Sequence, residues 1–133
     1  MSRYPLVVVV MAALAAAGCG SVRPDADAAS QTALTFHTAL SNGDGSGACA
    51  MLAPSTLAQF EKTTKAPCAV EIIEESPPAA GAVSDVRAYG RAAQVRMDAD
   101  TVFLTTAGGG WKVAAAGCRP QPDEPYDCAI EGP

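Results

Sequence analysis

Along the first half of this chain apolar residues recur at the spacing of a helix, and along the second half at the spacing of a strand. Ala29, Ala33, Phe36 and Leu40 follow one another at intervals of four, three and four, which puts them on one face of a helix beginning near Asp27. Asp25 or Asp27 can cap its start, and Asn42-Gly43 can end it because both tolerate the left-handed backbone found at helix C-termini. Ser46 is the expected cap of a short second helix reaching Ala53. Pro54 then breaks the pattern, and Ser55 is the expected cap of a third helix through Leu57 and Phe60 to about Lys65. Cys68 to Glu75 sets Val70, Ile72 and Ile73 among three glutamates. Strands are poor in glutamate, so a helical turn is predicted there.

From Val83 onward the period becomes two. Ala93, Val95 and Met97 alternate with Gln94, Arg96 and Asp98, the pattern of a half-buried strand. A strand over Val83 to Tyr89 precedes it, with Gly90-Arg91 as the turn. Asp98-Ala99-Asp100 leads into a strand from Thr101 to Thr106, and Gly108-Gly109-Gly110 into another from Trp111 to Ala116. Pro120, Pro122 and Pro125 argue against a sheet interior in the next stretch, leaving Cys128 to Glu131 as a short edge strand after an acidic tail. Helices followed by an antiparallel meander predict an α+β domain with helices packed on one face of the sheet.

The chain opens differently. Arg3 precedes an unbroken apolar run from Leu6 to Ala17, and Ala16-Ala17-Gly18 supplies small residues at a cleavage position, so residues 1–18 are expected to be an export signal. No later apolar run approaches the ~20 residues of a transmembrane helix. After position 18 the chain holds eight basic and fourteen acidic side chains, a formal net of −6 instead of the −5 that includes Arg3. That balance argues against nucleic acid or anionic lipid as a partner, since both need clustered Lys and Arg.

Four cysteines remain in the body, Cys49, Cys68, Cys118 and Cys128, and an even number in an exported chain predicts disulfides. Three pairings are possible. The local pairs, 49 with 68 and 118 with 128, are expected because each brackets one supersecondary unit. Zinc is the competing use of cysteine, but there is no Cys-x-x-Cys and only one histidine, so no metal is expected.

Ala16-Ala17-Gly18-Cys19 resembles the lipobox of bacterial lipoproteins, with Ala16 where such boxes most often carry Leu. The resemblance implies diacylation of Cys19, cleavage before it, and a membrane-anchored protein on the extracytoplasmic face, with residues 19–26 as lipidated Cys and tether. An ordinary cleaved signal is the alternative. Two acyl chains together anchor a protein where one would let it go, each buried methylene contributing ~0.8 kcal/mol. The opening helix, the Asn-Gly-Asp turn into Ala48-Cys49-Ala50-Met51-Leu52-Ala53-Pro54 and the hairpins ending in Gly110-Trp111-Lys112-Val113 resemble small secreted proteins of the NTF2-like superfamily. Gly117-Cys118-Arg119-Pro120 to Pro125-Tyr126-Asp127-Cys128 is similar to the ending of a group of lipoproteins from high-GC actinobacteria. The superfamily resemblance implies that residues 27–133 form a single domain, a cone of curved sheet wrapped on helices, often with a pocket. Such cones serve enzymes, binders and assembly modules alike.

Catalytic chemistry has one candidate. NTF2-like enzymes often place a His or Asp inside the cone, which makes His37 the best single candidate for a general base. No residue near it in sequence supplies an orienting acid, and a lone histidine beside an apolar face is more often a packing residue. Asn42, Asp44, Ser46 and Gly47 match the early positions of a calcium loop, but Ala53 stands where the bidentate Glu belongs. Glu74-Glu75 and the Asp98/Asp100 pair are expected to be solvated. The expected function is a non-catalytic binding module for an envelope protein or a small apolar ligand, without a cofactor. The alternative is a small isomerase or hydratase using His37. A closed cavity around His37 would favour the enzyme, and a filled cone with a conspicuous outer patch would favour the binder.

Overall fold

A computed structural model describes residues 25–75 and 79–133. The expected signal, Cys19 and residues 20–24 of the expected tether lie outside the described residues. Nine elements follow in order: α1 (Ala26–Ser41), α2 (Gly45–Ala50), α3 (Pro54–Thr64), α4 (Cys68–Glu74), β1 (Val83–Tyr89), β2 (Ala92–Met97), β3 (Thr101–Ala107), β4 (Gly110–Gln121) and β5 (Glu124–Glu131). The chain is therefore α+β, with one sheet in the order β1-β2-β3-β4-β5 and every neighbouring pair antiparallel.

α1 begins earlier than its apolar stripe suggests. Asp25 is its cap, its carboxylate accepting the Ala28 N–H at 2.9 Å, so Asp25 and Ala26 belong to the folded domain and not to a tether. Ala29, Ala33, Phe36 and Leu40 are buried, as the stripe predicts, and His37 joins them. The second helix is capped by Asp44, whose carboxylate accepts the Gly47 N–H at 2.8 Å, and not by Ser46. It stops at Ala50 and not at Ala53 because the next three residues are taken into the sheet. Val113 N–H donates to the Met51 carbonyl and Ala53 N–H donates to the Val113 carbonyl, both at 2.8 Å. Ala53 is thus extended, and α3 starts directly behind it with Pro54 at its first position and no side-chain cap, so Ser55 does not serve as one. Thr56 in that first turn donates its hydroxyl to the Ala114 carbonyl at 2.9 Å.

α1 lies against the sheet face that carries Val95, Val102, Leu104 and Val113, and these side chains with Phe36, Ile72 and Ile130 are almost wholly removed from water. Val95 faces Val102 and Ala93 faces Leu104 across β2 and β3, so Gln94 and Phe103, also partners, point to the opposite face. A bulge between Phe103 and Leu104 bends the β3-β4 pairing.

The tail after Pro120 departs from expectation. It is not an acidic appendage with a short return strand: β4 continues to Gln121, and β5 starts at Glu124 and pairs along its length, with Ile130 fully buried opposite Ala116. The prolines are accommodated because Pro122 lies in the turn, Pro120 at the register shift between Arg119 and Gln121, and Pro125 in an outermost strand, where a missing N–H breaks no interior ladder. The acids Asp123, Glu124, Asp127 and Glu131 are exposed, as expected of a solvated rim. Tyr126 folds back over the outer face, its ring edge-on to Phe103 at 5.1 Å between centroids and its hydroxyl accepting from the Gln94 amide at 3.2 Å.

Two disulfides staple the domain, Cys49–Cys68 between α2 and α4 and Cys118–Cys128 across the β4-β5 pair. The first lies where two short helices meet closely: a Cβ on Gly45 would overlap the backbone carbonyl of Ala69. Loss of the Cys49–Cys68 bridge, by Cys49→Ser with Cys68→Ser, is expected to cost ~3 kcal/mol in the chain-entropy model, read as a fall of ~10 °C or more in thermal unfolding. Gly45→Ala should destabilise by about 1–3 kcal/mol even with both bridges intact, since the obstacle is main chain and cannot swing aside. An unchanged melting curve for Gly45→Ala would contradict this packing.

Candidate functional site

His37 projects from the buried side of α1, where Phe36 fixes it edge-on with ring centroids 5.6 Å apart. Its partner comes from far along the chain. Nε2 lies 2.7 Å from Oδ2 of Asp100, the residue that ends the β2-β3 turn. With the proton on Nε2, the imidazole donates to the carboxylate. The other oxygen, Oδ1, accepts the Cys118 N–H of β4 at 2.8 Å. One carboxylate therefore ties α1 to the start of β3 and to the middle of β4.

Two expectations are corrected here. His37 does have an orienting acid, brought from 63 residues away by the turn. The Asp98/Asp100 pair is not uniformly solvated: Asp98 is exposed and accepts the Ala82 N–H at 2.9 Å, whereas the Asp100 side chain is fully enclosed. The two acids are separated by function because the tight turn sends them in different directions, Asp100 toward the core and Asp98 toward the loop before β1.

Chemically, an imidazole held by a carboxylate through one nitrogen can use the other as a base. Nδ1 of His37 has no hydrogen-bond partner among the described residues, and the side chain is 8% exposed. That small opening meets a shallow, open depression of about 230 Å³ bordered by Leu34, Thr38, Ser41, Ala80 and Met97. The face of the sheet that α1 covers is filled by Phe36, Val95, Val102, Leu104 and Val113.

The remaining predicted residues fall elsewhere. Cys49, Cys68, Cys118 and Cys128 are engaged in disulfides, and Cys118 touches the pair only through its backbone. Asp44 of the calcium-like loop is occupied as a helix cap, and among the described residues no cluster of three or more His, Cys, Asp or Glu is placed to hold a metal. Glu74 and Glu75 are exposed.

A second surface was not visible in the sequence. On the outer sheet face Asp85, Arg87 and Tyr89 of β1 stand beside Arg96, Gln94 and Ala92 of β2, with Phe103 and Tyr126 next to them. Arg87 pairs with Asp85 at 3.0 Å, while Arg96 is exposed without an acidic partner among the described residues. The signal was present as alternation, since Arg87 and Tyr89 of β1 and Gln94 and Arg96 of β2 fall at every second position. No protein-family model, curated protein or solved structure matches the chain.

Removing the carboxylate by Asp100→Ala strands the His37 ring and the Cys118 N–H without partners, an interior loss expected to cost about 3 kcal/mol or more in chemical denaturation. Asp100→Asn keeps an acceptor and should cost clearly less. Equal effects of the two substitutions would show that the negative charge, and not the shape or the remaining acceptor, carries the interaction.

Proposed function

We propose that this chain is a lipid-anchored lipoprotein of the extracytoplasmic membrane face, whose NTF2-like domain binds an envelope protein through the outer sheet face and performs no catalysis. The observation that carries the reading is the pairing of a filled interior with an outer face rich in Arg and Tyr, the side chains that most often dominate protein interfaces. Exposed Arg87 and Arg96 favour a partner with an acidic segment. Support for a cone comes from α1 on one face of a bulged five-stranded meander, and support for the anchor from the apolar run ending in Cys19. Such a domain would work as a receptor or scaffold held at the membrane.

One observation favours a second reading. The His37–Asp100 contact and the unpartnered Nδ1 beside an open depression are what a small isomerase or hydratase would need, with His37 as the base and Asp100 as the positioning residue. Against it stands the geometry: the imidazole is nearly closed off, and its bonds join three elements in the manner of a structural clasp.

The test places a photo-crosslinking residue at Arg96 or, as a control, at Ser46 on the helical layer of the membrane-bound protein. A protein captured from position 96 and not from 46, and lost when Arg87→Glu is combined with the probe, is the expected result. Equal capture from both positions would remove the outer face from consideration. His37→Gln, which can still donate to Asp100, should leave cellular function intact; loss of function at unchanged melting temperature would favour the enzyme. Cys19→Ala should abolish lipid on the amino-terminal peptide, measured by mass spectrometry.

A further inference from the structure

The end of the domain at which α1 begins has its own chemistry. Trp111, the only tryptophan in the chain, donates its indole N–H to the Asp25 carbonyl at 3.1 Å, so the cap of α1 is held against the first residues of β4. Tyr89, Ala92, Thr105 and Lys112 are successive cross-strand partners and form a row across β1 to β4 at this same end. Beyond that row lie two neighbouring turns, Gly90-Arg91 and Gly108-Gly109, locked together because Arg91 donates to the Thr106 hydroxyl at 3.0 Å and to the Thr106 carbonyl at 3.1 Å.

Tyr89 is 72% exposed, one of two large apolar side chains left so open among the described residues. Beside the β3-β4 turn an open apolar groove of about 280 Å³ is lined by Leu52, Pro54, Leu57, Ala107 and Gly108, with Lys112 on its rim. Lys112 holds the Ala50 carbonyl at 2.9 Å, which keeps its ammonium at the groove. The acids at this end are Asp25, engaged in its cap, and Asp27. The β2-β3 turn at the opposite end carries exposed Asp98, and the β4-β5 hairpin carries exposed Asp123, Glu124 and Asp127.

We propose that this end docks on the bilayer surface, with Tyr89 and Trp111 at headgroup level and Arg91 and Lys112 facing lipid phosphates. The inference rests on the lipid-anchor reading of Cys19. Six residue steps separate Cys19 from Asp25, a reach of at most ~20 Å, so the Trp111 end is held near the headgroups. The opposite turn stands about 20 Å further along β2. Tether length alone permits several tilts, and the chemistry selects among them. The overall acidic balance argues against anionic lipid, but the charges are segregated: Tyr and Trp favour the membrane interface, Arg91 and Lys112 at this end favour anionic headgroups, and the acidic turns are repelled by them. Docking by this end also leaves the outer sheet face beside the bilayer instead of beneath the domain.

Trp111 makes the inference measurable without a label. The lipidated protein is reconstituted in vesicles of phosphatidylcholine and phosphatidylglycerol with or without brominated acyl chains, and tryptophan emission is recorded. Emission should fall at least about twofold in brominated vesicles, as for a side chain at interfacial depth. Tyr89→Ser with Arg91→Ser should remove most of that quenching while the protein stays vesicle-bound. Trp111→Phe with Ala99→Trp, which moves the reporter to the opposite turn, should show none. Mass spectrometry of the amino-terminal peptide separates the two ideas. A lipidated, vesicle-bound protein whose Trp111 is unquenched, or whose Ala99→Trp form is quenched equally, overturns the docking geometry alone. A peptide without lipid overturns the anchor reading and the docking with it.

Discussion

The buried carboxylate of Asp100 is the constraint around which the two layers are arranged. Taking a carboxyl group out of water costs several kcal/mol unless its oxygens are satisfied, and here each has one partner: His37 from the helical layer and the Cys118 N–H from the sheet. Neither partner alone would justify the burial. The position of α1 along the sheet, the tightness of the β2-β3 turn and the placement of β4 are thereby tied to one another. The interior around it is largely apolar, so the bond adds specificity of position where packing alone, with many small alanines, discriminates weakly.

Much of the architecture was legible because it is written in local periodicity. The stripe of Ala29, Ala33, Phe36 and Leu40 and the alternation of Ala93, Val95 and Met97 each identify an element and its buried face. The local pairing of the cysteines agreed with the structure because each pair brackets one unit. What local pattern could not reveal were contacts between distant segments. Ser46 and Ser55 looked like caps, yet main-chain pairing of Met51 and Ala53 with Val113 decides where α2 ends and α3 begins. Asp100 looked like a turn residue because nothing in its neighbourhood mentions His37. The β5 strand was underestimated for a related reason: its prolines and acids read as a tail, while its place at the sheet margin is what permits them.

The same separation explains why the candidate site divides in two. The His37–Asp100 pair has the composition of a catalytic couple and the surroundings of a strut, whereas the outer face has no catalytic composition and the exposure of a contact surface. Side chains alone would rank the first higher; accessibility reverses the order. Tyr126 contributes by covering Phe103, so the outer face presents an ordered aromatic edge and not a loose hairpin.

The splice between Met51–Ala53 and β4 has a kinetic meaning. Within the sheet every strand pairs with its immediate successor, and the Cys49–Cys68 bridge closes inside the helical half, so each half can organise through short loops. The bonds that join the halves span much longer stretches, 58 residues for Thr56 to Ala114, 63 for His37 to Asp100 and 86 for Asp25 to Trp111. Assembly of this chain is thus the mating of two locally built pieces. Until β4 exists, the helical piece carries an unpaired stretch of backbone at Met51–Ala53, open to any strand that arrives first.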